Sequence, residues 1–268
     1  MSLPRAPEPT PPPPAEVEPD EVARLCVKTA VVLVEHGAES ALVETLARRL
    51  GLSLGAETVE AGILANCIVL TTRLKSAEVT FLRRTVDRGI NMQVVVEVQR
   101  AVLSVERGEL RAAGYHERLE GIVPLRYPRW LVSLAIGLSC ASFARLAGAD
   151  FTGCGVVVVA SAVAQYLRLQ VARLHFSPVV GFFLTAFVAT SVAGLGEVYG
   201  VGKTPTIALA SCVLLLVPGF PLINGVSDLV KGYMNMGIAR LAFALLLAAA
   251  STAGMLLAVS VWGLWGLS

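Results

Sequence analysis

Charge is scarce after residue 129. Residues 130–268 hold six Lys or Arg and three Asp or Glu, against sixteen and seventeen in residues 1–129. A stretch of that length with so few charges cannot present an ordinary water-facing surface. Histidine is scarce too. His36, His116 and His175 are scattered and share no ligand spacing, which leaves no metal site to read. The five cysteines, Cys26, Cys67, Cys140, Cys154 and Cys212, form no CxxC pair, and three lie in apolar runs. They read as small buried hydrophobes, without a disulfide framework. Gly-x-Ser-x-Gly is missing, and Gly202-Lys203-Thr204 lacks the glycine spacing and preceding strand of a phosphate loop. The sequence thus offers no catalytic residues, no nucleotide site and no cofactor. A net charge of +2 without a basic patch or interleaved aromatics excludes the nucleic-acid-binding pattern.

What is present divides in two. The chain is 55% hydrophobic, with mean hydropathy +0.69, and most of that excess lies in the second half. The N-terminus, "MSLPRAPEPTPPPPAEVEPDE", is proline-rich and acidic, without the charged-then-apolar form of a signal peptide. Residues 1–19 are expected to form a disordered or polyproline tail. Asp20 is an expected N-cap for a helix running to about Leu50, with Arg48 and Arg49 in its last turn and Gly51 as its stop. "ETVEAGILANCIVLTTRL" and "AEVTFLRRT", separated by "KSA", predict two or three strands. "NMQVVVEVQRAVLSVERGEL" returns to helical spacing, with Val95, Val98, Val102 and Val105 on one face. A short helix follows at about 110–119. Residues 20–125 therefore predict a small α+β domain.

From Trp130 five apolar segments follow, at about 130–148, 151–170, 178–198, 204–226 and 238–262. A spanning helix needs roughly 20 residues, so 126–268 predicts an all-α polytopic membrane domain of about five transmembrane helices. Arg126, Arg129, Arg168, Arg173, Lys231 and Arg240 gather on one side of the spans, and Asp150, Glu197 and Lys203 on the other. The positive-inside rule then puts the N-terminal domain in the cytoplasm and the C-terminus on the far face, where Trp262 and Trp265 suit an interfacial belt.

Polar residues inside these segments are the candidates for function. Pro218, Gly219 and Pro221 interrupt the fourth segment and lead into Asn224, Asp228 and Lys231. Two readings are open. Either the span is broken there and a half-helix offers free N–H groups to an anion, or the span ends at Pro218 and "NGVSD" caps a further helix. Arg145 either snorkels to the headgroups or pairs with Asp150. Gln165 and Thr185 read as contacts between helices. In the first half, "EHGAESALVE" holds Glu35, His36, Gly37, Glu39, Ser40 and Glu44. A hydrolase would recruit Ser40, His36 and a carboxylate. However, His36 and Ser40 are four apart on one expected helix without a nucleophile elbow, so an exposed polar stripe is the reading adopted.

"VEHGAESALVETLARRLGL" resembles the N-terminal motif of the threonine/serine exporter (ThrE-like) family. "PLRYPRWLVSLAIGLSCASFARLAGAD" and "LVPGFPLINGVSDLVKGYMNMGIARLAFAL" resemble its YjjP-type branch of bacterial inner-membrane proteins. The resemblance runs from about residue 20 to the C-terminus. It implies a cytoplasmic α+β domain, a helical membrane domain and export driven by an ion gradient. It also implies a split system, in which this chain is the larger component and a small separate membrane protein (the YjjB type) is its partner. The implied substrate is a small carboxylate, succinate for that branch and threonine or serine for the fused members. Self-association into a homo-oligomer stays open, as does a rival class in which the membrane part anchors a sensor or scaffold. The family motif marks Pro218, Gly219, Pro221, Asn224 and Asp228, and in the first half His36, Gly37, Glu39, Ser40 and Glu44.

Overall fold

The computed structural model describes residues 18–174 and 176–264. The proline-rich tail expected at the N-terminus lies almost wholly outside them, as do His175 and Trp265. The chain divides into two compact units, residues 1–124 and 125–268.

In the first unit the helix expected to run unbroken to Leu50 is two helices, α1 (Pro19–Glu35) and α2 (Ser40–Ser53). Glu18, not Asp20, holds the N-cap position. Pro19 opens the helix, where its missing N–H costs nothing, and Asp20 sits in the first turn. The break is a glycine-terminated helix end. Gly37 adopts φ +86°, the Gly37 N–H bonds the Val34 carbonyl, and the Ala38 N–H reaches back to the Leu33 carbonyl. Only a residue without a Cβ adopts that backbone cheaply. Gly51 does not stop α2, which continues to Ser53.

The strands are β1 (Thr58–Ile63), β2 (Cys67–Leu74) and β3 (Ala77–Arg84), an antiparallel meander in the order β1-β2-β3. Lys75 and Ser76 make the two-residue turn between β2 and β3, both at positive φ, which matches the right-handed twist of a hairpin. Alternate residues of β2, Ile68, Leu70, Thr72 and Leu74, are buried. Helices α3 (Met92–Glu106) and α4 (Ala112–Glu120) complete the unit. Val95, Val98, Val102 and Val105 are all buried, as their spacing predicts. Tyr115 is fully buried, and its hydroxyl is 2.7 Å from that of Thr29. Burial pushes the tyrosine's pKa up and raises the Cys26 thiol to about 12.

Among the described residues of the second unit, four helices are long and apolar enough to cross a membrane: α5 (Arg129–Leu146), α6 (Phe151–Arg173), α7 (Pro178–Val198) and α10 (Met234–Trp262). Between α7 and α10 lie α8 (Pro205–Cys212), a 3₁₀ turn (Leu214–Leu216) and α9 (Gly219–Val230). The two halves of that segment meet at 58° and pass the same test as one bent span. The described residues are thus mostly helical, with four or five candidate spans and one small sheet. Most buried residues of this unit are small, Phe182, Leu216 and Leu247 being exceptions. Ala141, Ala144, Ala160, Ala164, Ala189, Ala193 and Cys212 form its centre. A Cβ added to Gly137 of α5 would lie 2.7 Å from the Val158 carbonyl oxygen of α6, and one added to Gly254 of α10 would strike the Phe183 carbonyl of α7. Backbones approach this closely where side chains are absent.

Candidate functional site

Proline cannot donate a backbone hydrogen bond, and two of them within four residues dictate the shape of the fourth segment. Val217 is extended, and α9 starts anew at Gly219. The turn leaves few donors. The Gly219 N–H bonds the Val217 carbonyl at 2.8 Å, Pro221 has none, and the Leu222 N–H returns to the Pro218 carbonyl at 3.1 Å. Phe220 keeps the one amide of that turn without a backbone acceptor, so the end of α9 is a poor cradle for an anion. Asn224, Ser227 and Asp228 lie inside α9, so "NGVSD" does not cap a helix. The proline break and Asp228 are nine residues apart along α9, about 14 Å at 1.5 Å per residue. Pro218, Gly219 and Pro221 therefore bend the segment at one end, while Asn224, Asp228 and Lys231 stand toward the other.

Asp228 is wholly buried, with a side chain 0% exposed. Its Oδ2 accepts a hydrogen bond of 2.7 Å from Nη1 of Arg240, whose side chain is 13% exposed. Arg240, read from sequence as a loop charge that orients the spans, sits inside α10 and faces α9. The geometry that joins them is local. Gly232, at φ +89°, ends α9, with the Gly232 N–H on the Leu229 carbonyl and the Tyr233 N–H on the Asp228 carbonyl. The chain then turns directly into α10. Gly225 and Gly237 let the two helices touch: a Cβ on Gly225 would lie 2.9 Å from Leu241, and one on Gly237 2.7 Å from Leu229. Arg240 is the residue that sequence reasoning missed. Its signal was an arginine within a long apolar run, twelve residues after the aspartate. Lys231 follows α9 and is exposed.

Other expectations resolve differently. Arg145 does not pair with Asp150. Its Nη1 donates to the Ala149 carbonyl at 2.9 Å, and its guanidinium lies over the Phe151 ring at 4.8 Å. Asp150 instead accepts from the Thr204 hydroxyl at 2.8 Å and from the Lys203 N–H at 3.1 Å, tying the α5–α6 turn to the start of α8. These bonds, the Thr204 hydroxyl above all, lower its pKa to about 2. Thr185 does not join helices, because its hydroxyl returns to the Gly181 carbonyl of its own helix. Gln165 is buried, and Ser161 makes the contact between helices, donating to the Cys212 carbonyl at 3.3 Å.

In the first unit the polar stripe is not exposed. Glu35, His36 and Ser40 are buried, and Glu39 and Glu44 are half-buried. The break at Gly37 turns them inward. The Glu35 carboxylate accepts from the Val86 N–H at 3.1 Å and from Arg88 Nε at 2.7 Å. The Asn91 N–H bonds the His36 carbonyl at 3.1 Å, and His36 Nδ1–H donates to the Val32 carbonyl at 2.8 Å. A Cβ on Gly37 would meet Ile90 at 3.0 Å. The motif therefore clamps the connection between β3 and α3. Among the described residues no group of three or more His, Cys, Asp or Glu could hold a metal ion.

Comparison with known proteins adds the following. Residues 24–262 match the family model described as "Putative threonine/serine exporter". The chain is 48% identical over 246 residues to the "Probable succinate transporter subunit YjjP" of Escherichia coli, covering 91% of this chain and 96% of that protein. It is also 48% identical to the protein of the same name from Klebsiella aerogenes, covering 91% and 95%. The "Probable threonine/serine exporter" of Mycobacterium tuberculosis is 28% identical over 255 residues, covering 89% of this chain and 46% of that protein. These names describe transporters, not enzymes. No solved structure matches the chain. A match running from α1 to the end of α10, on a chain with four long apolar helices and a bent fifth segment, makes this multi-pass membrane protein a member of the threonine/serine exporter family.

Proposed function

We propose that the chain is the larger subunit of a bacterial inner-membrane exporter of a small carboxylate, with succinate as substrate. Its partner is a small separate membrane protein of the same family, the YjjB type. The observation that carries this reading is the wholly buried Asp228 in the bent fourth segment, paired with Arg240 of the long apolar helix that follows. Ionisable residues are expensive inside a membrane and mark pathways there. The E. coli and K. aerogenes relatives supply the substrate, since both are named as succinate transporter subunits. The word subunit, and the 46% of the M. tuberculosis exporter that this chain covers, support a second component.

In this reading Pro218, Gly219 and Pro221 set the bend that places Asn224 and Asp228 on the pathway, and Lys231 stands at its mouth. Asp228 couples transport to an ion gradient. The positive charge at Arg126, Arg129, Arg173 and Lys231 favours a cytoplasmic first unit and a periplasmic C-terminus. The second reading, export of threonine or serine, draws on the name of the M. tuberculosis relative.

The test is export from a bacterial strain lacking its own succinate and threonine exporters, with this chain expressed alone and with its candidate partner. Succinate in the medium only with both chains is the expected result. Threonine or serine in its place moves the assignment to the second reading. Neither compound, with both chains inserted, overturns the exporter reading.

A further inference from the structure

We propose that Arg168, inside α6, receives a carboxylate of succinate beside the proline break of the fourth segment. This rests on the exporter reading above and names the residue that holds the anion.

From sequence Arg168 is a charge that orients the spans. In the structure it lies within α6, five residues before that helix ends. Val157, Ser161, Ala164 and Val171 form a buried stripe of the helix, and Arg168 stands in the same three-and-four spacing. Val159, Val163 and Tyr166 face outward. Tyr166 is two residues earlier, about 200° around the helix. A snorkelling arginine leaves from the lipid side of its helix, whereas Arg168 stands on the side packed against protein. Its guanidinium lies over the ring of Phe182 in α7, 4.3 Å from the centroid, and that ring is buried. The arginine itself is half-buried, so an anion can reach it.

This unit supplies no anion of its own there. Its acidic residues are Asp150, Glu197 and Asp228. Asp150 stands at the opposite end of α6, held by Thr204 and Lys203. Glu197 is at the far end of α7 from Phe182. Asp228 faces Arg240. Among the described residues Arg168 makes no ion pair, and its N–H donors meet no acceptor. An arginine cannot neutralise itself by losing its proton, and a charge at this depth is costly unless it is matched. A guanidinium stacked on a ring keeps its donors in its own plane, as a fork that fits a carboxylate.

The proline break lies at the same level. Val157 and Ala208 share one buried cluster, and the Ser161 hydroxyl meets the Cys212 carbonyl, 51 residues on. The same offset brings Arg168 level with Gly219, the first residue of α9. There the segment turns by 58°, and α9 packs on α10 rather than on α6. The bend thus withdraws the fourth segment from α6 beside the guanidinium, which an unbroken helix would cover. The turn itself offers an anion little beyond the Phe220 amide. The charge that binds it has to come from a neighbouring helix, and Arg168 is the arginine at that level.

The experiment uses the full chain with its candidate partner in phosphatidylcholine nanodiscs, titrated by calorimetry with succinate and with its uncharged diamide, succinamide. The wild type is expected to bind succinate and not succinamide. Arg168→Gln weakens succinate binding by about tenfold or more. Arg168→Lys, which keeps the charge but not the fork, recovers part of the loss. Removal of Arg168 strands no carboxylate in its own unit, so Arg168→Gln keeps the thermal transition of the wild type. That retention separates ligand binding from a structural role. Wild-type succinate affinity in Arg168→Gln, a lowered thermal transition in that variant, or no succinate binding by the wild type overturns the proposal. So does native mass spectrometry in which the wild type retains an anionic lipid that Arg168→Gln loses. Export assays on the same variants separate the proposal from the reading beneath it. Export that persists at the wild-type level in Arg168→Gln removes only the role of Arg168, and absence of wild-type export removes both.

Discussion

The two units of this chain are built from opposite materials. In the first, the largest buried side chains are Tyr115, Leu33, Leu46, Leu50, Ile68 and Leu70, and most of the charges, Glu35 excepted, lie outside. In the second, many large apolar residues point outward, Leu146 at 83% exposed and Leu245 at 67% among them, while the centre is mostly alanine, glycine, serine and cysteine. The first pattern follows from water, which drives large apolar side chains together. The second follows from lipid, which is as apolar as leucine and gives no such drive. There helices hold by close backbone approach, and small residues gather at the contact.

That contrast can be broken from either side. The largest effect is expected from Gly254→Leu, because a Cβ there strikes the Phe183 carbonyl, a backbone atom that cannot turn away. The helix pair α7–α10 must separate, at a cost of about 3 kcal/mol or more. Loss of the monodisperse peak in detergent is the readout. Next is Leu33→Ala in the first unit, which empties a fully buried site at about 3 kcal/mol. Cys26 reports it. Its thiol is buried with a pKa raised to about 12, so it resists alkylation until the unit opens. Peptide-resolved alkylation of Cys26 should quicken about a hundredfold, with no change at Cys212.

A smaller, local effect is expected from acid. Asp150 is ionised well below the ordinary carboxylate pKa of about 4. Its tether to Thr204 and Lys203 is thus complete above about pH 4 and lost as pH falls through about 2. Hydrogen exchange of the Lys203 amide, which donates to Asp150, should speed up in that window, and in Asp150→Asn it should lose that dependence. The smallest effect belongs to Leu245→Ala. The residue faces outward from α10, so the change should cost under about 0.5 kcal/mol. A melting temperature shifted as far as that of Leu33→Ala would mean that the outward face of α10 packs on protein.

Much of the fold was legible in composition and period. The charge gap after residue 129 marks where the apolar segments begin, and four of the five reappear as long helices. The valines of α3 and the alternation of β2 lie on the faces that their spacing assigns. The candidate site was half legible. Pro218 and Pro221 announce a bend because proline lacks an N–H, and Asp228 is conspicuous in an apolar run. Its partner was not readable, since pairing of Asp228 with Arg240 depends on how far α9 turns back after Gly232. The same limit hid the break at Gly37, where a helical period continues unchanged on both sides of a residue that leaves the helix.

The sequence by itself determined which segments are apolar enough for a membrane, where strands alternate, and where proline must interrupt a helix. These are properties of neighbours along the chain. The tertiary structure decided which polar groups are enclosed and what they face. It turned Glu35, His36 and Ser40 inward, sent Asp150 to Thr204 rather than to Arg145, and closed Arg240 on Asp228. Hydrogen bonds and ion pairs act over about 3 Å in space, and distance along a chain does not fix distance in space until the helices have packed.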